Sequence, residues 1–343
     1  MTRWSRTNQL IVAAAERLGA RALPLGSRHT DYFVRLVHGE RSVIVSKTRS
    51  PFLTQVAQGL ANNKQVGREL LAAHGVPCVQ GLLLDEGDDP RGPAVAAMLA
   101  RHGRVVVKPN WGNRGVGVTT DVRTRERLER ARARARALDL DEEVGVEPFV
   151  AGSNLRVAVI GGRYAAACEV QRPQLRAGAV IGAQIAAWNE DPRRGSWDAP
   201  GLQPLDRIEA DGDFAAQLAV YGLKLGELAP AGLELEVTSE ESAVIDRSEA
   251  LHPGWREIAE RACGLLGVDV GGVDLRGPIE AFTRAPAPDW RAGGACLLEV
   301  NVLPALHLHA LPTEGAPRPV FEAFVAYCLQ LPGAPEPCAR VRV

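Results

Sequence analysis

Leu297-Leu298-Glu299-Val300-Asn301 places a carboxylate and a carboxamide two residues apart within an apolar run. In an extended strand, successive side chains point to opposite faces, so Glu299 and Asn301 share one face while Leu298 and Val300 share the other. Two oxygen donors on one face suit a hard divalent cation such as Mg²⁺. Asp274, in Gly272-Val273-Asp274-Leu275, ends another strand-like run and could complete the ligand set. Taken alone, the Glu-x-Asn pair is common and fits exposed positions on an edge strand better than a metal site.

A second group lies upstream. Lys108 closes the apolar run Val105-Val106-Val107, where a lysine packs poorly unless its ammonium meets an anion or reaches solvent. Gly112, Gly115 and Gly117 follow, and glycines let backbone amides approach an anion closely. Lysine with a glycine-rich loop is what a triphosphate requires. The spacing is neither the P-loop GxxxxGK[ST] nor the dinucleotide GxGxxG. By itself it is also the pattern of a plain hairpin with a glycine turn.

These residues need elements to hold them. Periodicity predicts helices over 9–18, 61–75, 125–138, 213–221, 254–266 and 319–330, with Gly75, Gly222 and Gly267 placed to stop three of them. Strands are predicted at 104–109, 118–120, 155–160, 163–170, 268–275 and 295–301, with shorter apolar runs at 32–37 and 42–46. Gly161-Gly162 between two strands is a strong hairpin signal, because both residues reach positive φ. The Arg-rich helix 125–138 reads as a solvated face, since Glu126, Glu129 and Asp139 interrupt its charge. The mixture of strands, helices and hairpins argues for an α+β or mixed α/β fold.

Composition sets outer bounds. The chain has 343 residues, 46% hydrophobic and 24% charged, with a formal net charge of −1. That balance gives no general reason to expect nucleic acid or a membrane as partner. The apolar stretch Leu10–Ala15 is too short to cross a bilayer. Six scattered cysteines without a CxxC pair argue against a zinc site or disulfide framework and suit the cytoplasm.

Taken in order, the segments resemble the ATP-grasp superfamily, on the branch that holds the ATP-grasp portion of cyanophycin synthetase and the similar module of bifunctional glutathione synthetases. The resemblance rests on Asn63-Lys64, VVVKPNWGNRGVGV at 105–118, VEPFVAGSNLRVAVIGG at 146–162 and QRP at 171–173. It continues through NEDPRRG at 189–195, HP at 252–253, GVDVGGVDL at 267–275, LLEVNVLP at 297–304 and HALPTEG at 309–315. It covers residues 50–330.

The resemblance implies two α+β subdomains gripping ATP, preceded by a small N-terminal α/β unit. The expected division is 1–60 for that unit, 61–150 for the lid, 151–330 for the metal-bearing subdomain and 331–343 for a tail. Lys64 and Lys108 match lysines that hold ATP phosphates, and Gly112, Asn113, Gly115 and Gly117 match the loop that closes over them. Glu147, Phe149 and Val150 match the hinge lining the adenine, and Asn154 falls where an acidic residue usually meets the ribose. Asp274, Glu299 and Asn301 match the ligands of two Mg²⁺ ions, for which Mn²⁺ could substitute. Arg156 and Arg172 are candidate contacts for a carboxylate or acyl phosphate, because a guanidinium offers such groups a planar fork. A structural salt bridge is the competing reading for both. No dedicated general base stands out; His252 and His309 are the candidates.

The implied activity is ATP-dependent ligation of a carboxylate to an amine, between amino acids or small peptides, with a dimer as the foremost oligomer. A small-molecule kinase and a non-catalytic ATP-binding subunit are the alternatives. Departures from the family lie at Val237–Ser242, which replaces an Asn-rich stretch near the acceptor side, and at Ala305, which replaces a glycine. The further ligase domain and the N-terminal domain of cyanophycin synthetase have no counterpart in the sequence, so alternating polymer synthesis is not expected.

Overall fold

The computed structural model describes residues 4–25, 31–85, 87–89, 92–112, 115–139, 142–196, 201–210, 212–233, 235 and 240–336. Helix α1 (Arg6–Arg17) packs on an antiparallel sheet of β1 (Arg21–Pro24), β2 (Phe33–His38) and β3 (Arg41–Ser46). Alternation along β2 buries Val34 and Leu36 and exposes Phe33 and Arg35. The core under this sheet is not local. Ile11, Ala14, Val34 and Leu36 pack with Phe321, Phe324 and Val325 from the far end of the chain.

Helices α2 (Gln55–Asn62) and α3 (Lys64–Ala73) start at Thr54 and Asn63, whose side chains accept from the amides of Ala57 and Val66. Each cap satisfies a donor that the first helical turn leaves open. Gly75, at φ 74°, ends α3 as its position predicts.

The glycine loop belongs to a four-stranded antiparallel sheet. Its elements are β4 (Leu82–Leu84), α4 (Pro93–His102), β5 (Val105–Pro109), β6 (Thr119–Val122), α5 (Arg125–Arg136) and β7 (Val144–Pro148), with strand order β4-β7-β5-β6. Val105, Val107, Val144 and Val146 face Leu128, Ala131 and Ala135 of α5. The wholly solvated face expected for α5 needs correcting, because Arg132 and Arg134 are buried. Arg134 donates to the Val118 carbonyl at 2.9 Å and pairs with Asp213 at 2.6 Å.

The larger sheet holds β8 (Ser153–Ile160), β9 (Arg163–Gln171), β10 (Ala243–Asp246), β11 (Val270–Gly277) and β12 (Cys296–Asn301), in the order β10-β9-β8-β11-β12 with every pair antiparallel. Gly161 and Gly162 turn the β8–β9 hairpin at φ 59° and 71°. Between β9 and β10, helices α6 (Ile181–Trp188) and α7 (Gly212–Val220) share a small core of Ile181, Ile185, Phe214 and Leu218. Helix α8 (Pro253–Leu266) covers one face of the sheet with Trp255, Ala259 and Ala262, joined by Ala61 and Leu71 of α2 and α3. Helix α9 (Val320–Leu329) and α1 cover the other. Antiparallel sheets with segregated helices make this an α+β fold. Among the described residues no helix is long and apolar enough to cross a membrane.

Candidate active site

Strand alternation sends Leu155, Val157 and Val159 of β8 into the core under α8, and Ala158 and Ile160 into the opposite core. Arg156 lies on the second of these faces, at its open end. Val273 and Leu275 of β11 likewise enter the first core, leaving Asp274 beside Arg156. In the sheet register, Asp274 stands opposite Arg156 on one side and Glu299 on the other.

The alternation expected for β12 needs one correction. The β11–β12 register shifts between Asp274 and Leu275, so Asp274 pairs with Glu299 and Leu275 with Leu297. Leu298 is the extra residue of a bulge. Leu297 and Val300 therefore both reach the main core, while Leu298 packs with Val79, Val150 and Cys296. Glu299 and Asn301 keep a common face. The Asn301 amide donates to Asp274 Oδ2 at 2.9 Å and to Glu299 Oε1 at 3.3 Å, so the three predicted metal ligands touch one another.

Arg156 spends its fork on Asp274. Nε donates to Oδ1 at 2.7 Å and Nη2 to Oδ2 at 2.8 Å. Burial works against the Arg156 charge, but Asp274 outweighs it and raises the guanidinium further. Arg172 lies just past β9, half-buried.

Lys108, on β5, is only 6% exposed, and its ammonium lies 2.8 Å from Glu147 Oε1. The other Glu147 oxygen takes Arg68 of α3. Burial would raise the Glu147 carboxyl, yet the charges and hydrogen bonds of Lys108 and Arg68 bring it down to about 2. Expected on the adenine-lining hinge, Glu147 instead turns its carboxylate to Lys108 and Arg68. Arg68 escaped the sequence reading; its signal was the i+4 spacing from Lys64 on one helix face.

Lys64 ties α3 to the glycine loop, donating to the carbonyls of Gly112 at 2.7 Å and Asn110 at 3.3 Å. Burial, helped by Lys108 and Arg68, lowers its pKa, while Glu299 pulls the other way. Asn110, also missed in the sequence, accepts from the Gln65 amide at 3.0 Å and donates to Glu143 at 2.6 Å. Gly112, Gly115 and Gly117 have φ of 123°, 73° and 77°. A side chain at Gly117 would put its Cβ 2.6 Å from Pro109 Cγ. Asn113 lies outside the described residues.

At the hinge, the Phe149 ring sits between the guanidinium groups of Arg104, 3.5 Å from the ring centre, and Arg276, 5.2 Å away. Arg276 also donates to the Val150 carbonyl at 2.9 Å and to Asn154 Oδ1 at 2.7 Å. Asn154, expected at the ribose, is held by Arg276, which stands opposite it on the neighbouring strand β11.

Of the two histidines, His252 caps α8, its Nδ1 accepting from the Gly254 amide at 3.0 Å. His309 is 3% exposed, and its Nδ1 has no partner among the described residues. Burial and Arg156 push its pKa down to about 3, against the pull of Asp246. In the NEDPRRG segment, Asn189 and Arg194 brace the backbone. Asn189 exchanges two hydrogen bonds with the backbone of Ile208, at 2.8 and 2.9 Å. Arg194 donates to the carbonyls of Trp188 at 3.1 Å, Asp206 at 2.6 Å and Glu241 at 2.7 Å. Of the departing segment 237–242, residues 237–239 lie outside the described residues.

The donor set fits a hard cation: two carboxylates and an amide meet at one spot, and an amide turned about its bond offers oxygen in place of nitrogen. Lys64, Lys108 and the positive-φ loop fit a polyphosphate.

No protein-family model matches the chain. It is 28% identical over 321 residues to cyanophycin synthetase from Trichormus variabilis, covering 92% of this chain and 34% of that protein. To the glutathione biosynthesis bifunctional protein GshAB from Listeria innocua it is 25% identical over 279 residues, covering 79% of this chain and 34% of that protein. The chain thus spans about a third of the length of these curated relatives. Its fold matches the crystal structure of a bifunctional glutathione synthetase from Pasteurella multocida with a TM-score of 0.60 and 22% identity, over 95% of this chain and 44% of that one. The chain is thus similar in sequence to cyanophycin synthetase over most of its length and shares the fold of a bifunctional glutathione synthetase.

Proposed function

We propose that this chain is an ATP-dependent carboxylate–amine ligase that joins amino acids or small peptides and releases ADP and phosphate. One observation carries the reading. Burial would raise the Glu299 carboxyl, but Lys64 and Lys108 from the glycine-loop side, with Arg156, hold it below the usual carboxylate range. The Asp-Glu-Asn cluster thus lies within electrostatic reach of Lys64 on α3 and Lys108 on β5, which supports reading them together.

In this reading Lys64, Lys108 and the amides of the glycine loop hold the ATP phosphates. Phe149 and Val150 line the base, and Asn154 with Arg276 closes the ribose side. Asp274, Glu299 and Asn301 would hold one or two Mg²⁺ ions, which when bound neutralise phosphate charge. The donor carboxylate attacks the γ-phosphorus, ADP leaves, and an acyl phosphate remains. The acceptor amine then attacks the acyl carbon and phosphate departs, with a cation such as Arg156 beside the oxyanion. Five buried free thiols among the described residues support a reducing, cytoplasmic setting.

The test is ATP turnover with Mg²⁺ over panels of amino acids and dipeptides, with mass detection of products. ADP release tied to a new amide mass is the expected result. A phosphorylated product without amide would select a kinase. ATP binding without turnover on any pair would select a non-catalytic subunit.

A further inference from the structure

Asp206, Glu240 and Glu241 come together away from the central strands, each turning one carboxylate oxygen to the others, all within 4.8 Å. Like charges this close need cations around them. Arg6 of α1 supplies one, with Nη2 2.6 Å from Asp206 Oδ1. Arg194 spends its donors on backbone carbonyls, those of Asp206 and Glu241 among them. Glu241 has no such partner. It is only 9% exposed, yet its carboxylate takes no hydrogen bond or ion pair among the described residues. A carboxylate buried in this way is costly until a cation covers it.

The cluster borders the proposed active site. Leu205, next to Asp206, packs with Cys168 and Val244. The Ser242 amide, next to Glu241, donates to the Gln171 carbonyl at 2.8 Å and extends the β10–β9 pairing. Cys168 stands opposite Arg156 in the register. After burial and Asp274, Glu241 is the next group to act on the Arg156 guanidinium, which it raises. After burial and Arg156, it acts on the Cys168 thiol in the same direction. We infer that Asp206, Glu240 and Glu241 form a subsite for a basic side chain, the ammonium or guanidinium of one of the two substrates to be joined. This deepens the ligase reading above and rests on it. A nitrogen cation suits the cluster better than a divalent ion. Its N–H groups can be divided among several oxygens, as Arg6 divides its own between Asp206 and the Gln203 carbonyl. A doubly charged ion in the same place would meet stronger repulsion from Arg6, which already holds one of its ligands. Glu241 provides the open position.

The test sets arginine and lysine against citrulline and norleucine, neutral side chains of similar size, each paired with a panel of neutral amino acids. ADP release and amide mass are followed with ATP and Mg²⁺, and the same four amino acids are titrated calorimetrically into each protein. The full chain is used as wild type, Glu241→Gln and Glu240→Gln, each checked for folding by circular dichroism. Wild type should join arginine or lysine in preference to the neutral pair. Glu241→Gln should raise the KM for the basic substrate about tenfold, the scale of one charge-assisted hydrogen bond, and move kcat less. Glu240→Gln should act in the same direction, and it serves if Glu241→Gln does not fold. Basic and neutral substrates joined equally well, or a KM for arginine and lysine unmoved in both variants, overturns the subsite and leaves the ligase standing. With no amide from any pair the ligase reading falls, and calorimetry decides alone. Arginine preferred over citrulline in wild type but not in Glu241→Gln sustains the subsite, whereas binding absent or alike in all three proteins overturns it. Ca²⁺ that excludes arginine and binds wild type but not Glu241→Gln assigns the cluster to a metal and overturns it too.

Discussion

Glu147, buried, and Glu299, half-buried, are carboxylates held ionised by cations that other elements supply. At Glu147 the partners are Lys108, 2.8 Å away on the neighbouring strand, and Arg68 on α3. Removing Lys108 therefore does two things: it takes a cation from the proposed phosphate site and leaves Glu147 with one partner. Lys108→Ala and Glu299→Ala should each cut ADP formation by about 10²-fold or more, the scale for losing one preorganised group. Turnover retained in both would sink the site assignment. His309 offers a different measurement. Its folded pKa of about 3 lies below the ordinary 6.5, so the unfolded chain takes up the proton first. The stability it confers is whole above pH 6.5 and falls as pH drops through that value towards 3. Between pH 6.5 and 5 the loss should reach about 2 kcal/mol. Glu147 adds little to that slope, since its contribution is whole well above its unfolded value of 4.5 and is lost as pH falls from there towards 2. Urea unfolding at pH 7.5 and 5 should show a shallower loss in His309→Gln than in wild type. Identical slopes would refute the assigned cause. The types of these residues were legible in the sequence. Their pairings were not, because Lys108 and Arg68 meet Glu147 only after β5, β7 and α3 come together.

The elements show where pattern reading succeeds and where it stops. Helix stops at Gly75 and Gly267 and the Gly161-Gly162 turn depend on backbone conformations that glycine adopts freely, so the sequence carries them locally. The bulge at Leu298 is set by the partner strand, and an alternation rule applied to β12 alone cannot register it. Likewise α5 reads as a basic, solvated helix because the partner of Arg134, Asp213, lies 79 residues further along the chain, on α7. Two predictions belong here. Gly117→Ala forces a side chain into positive φ against Pro109. It should cost about 1–3 kcal/mol of stability or raise the KM for ATP as the loop shifts. Unchanged unfolding and unchanged KM together would show that the loop does not depend on this glycine. Arg194→Ala strips the donor from three carbonyls that join residues 188, 206 and 241. It should loosen that stretch, read as faster limited proteolysis between 188 and 206, and cost about 1–3 kcal/mol. Cleavage at the wild-type rate would contradict the clamp.

Across the whole molecule, long-range ties decide what holds together. Asp269 accepts from Ser50, near the start of the chain, and from the Tyr327 hydroxyl at 3.0 Å, near its end. Phe52 meets the Tyr327 ring edge-on at 5.4 Å. Tyr327→Phe keeps the ring and deletes the donor, so unfolding should become easier by about 1–2 kcal/mol in urea. A value near zero would show that Asp269 needs only Ser50. No local pattern announces such ties; a buried aspartate, a serine and a tyrosine are unremarkable until the chain closes on itself.

The core that α1 and the first sheet share with α9 bears on how the molecule is made. A ribosome delivers Ile11, Val34 and Leu36 some three hundred residues before Phe321 and Phe324, the side chains that cover them. At about 5–20 residues per second, those apolar faces wait on the order of tens of seconds without their partner. During that interval β1 and β2 are a hazard rather than a structure, and a chaperone that binds short apolar strands should engage nascent chains here. Release should follow only once the final helix has left the exit tunnel.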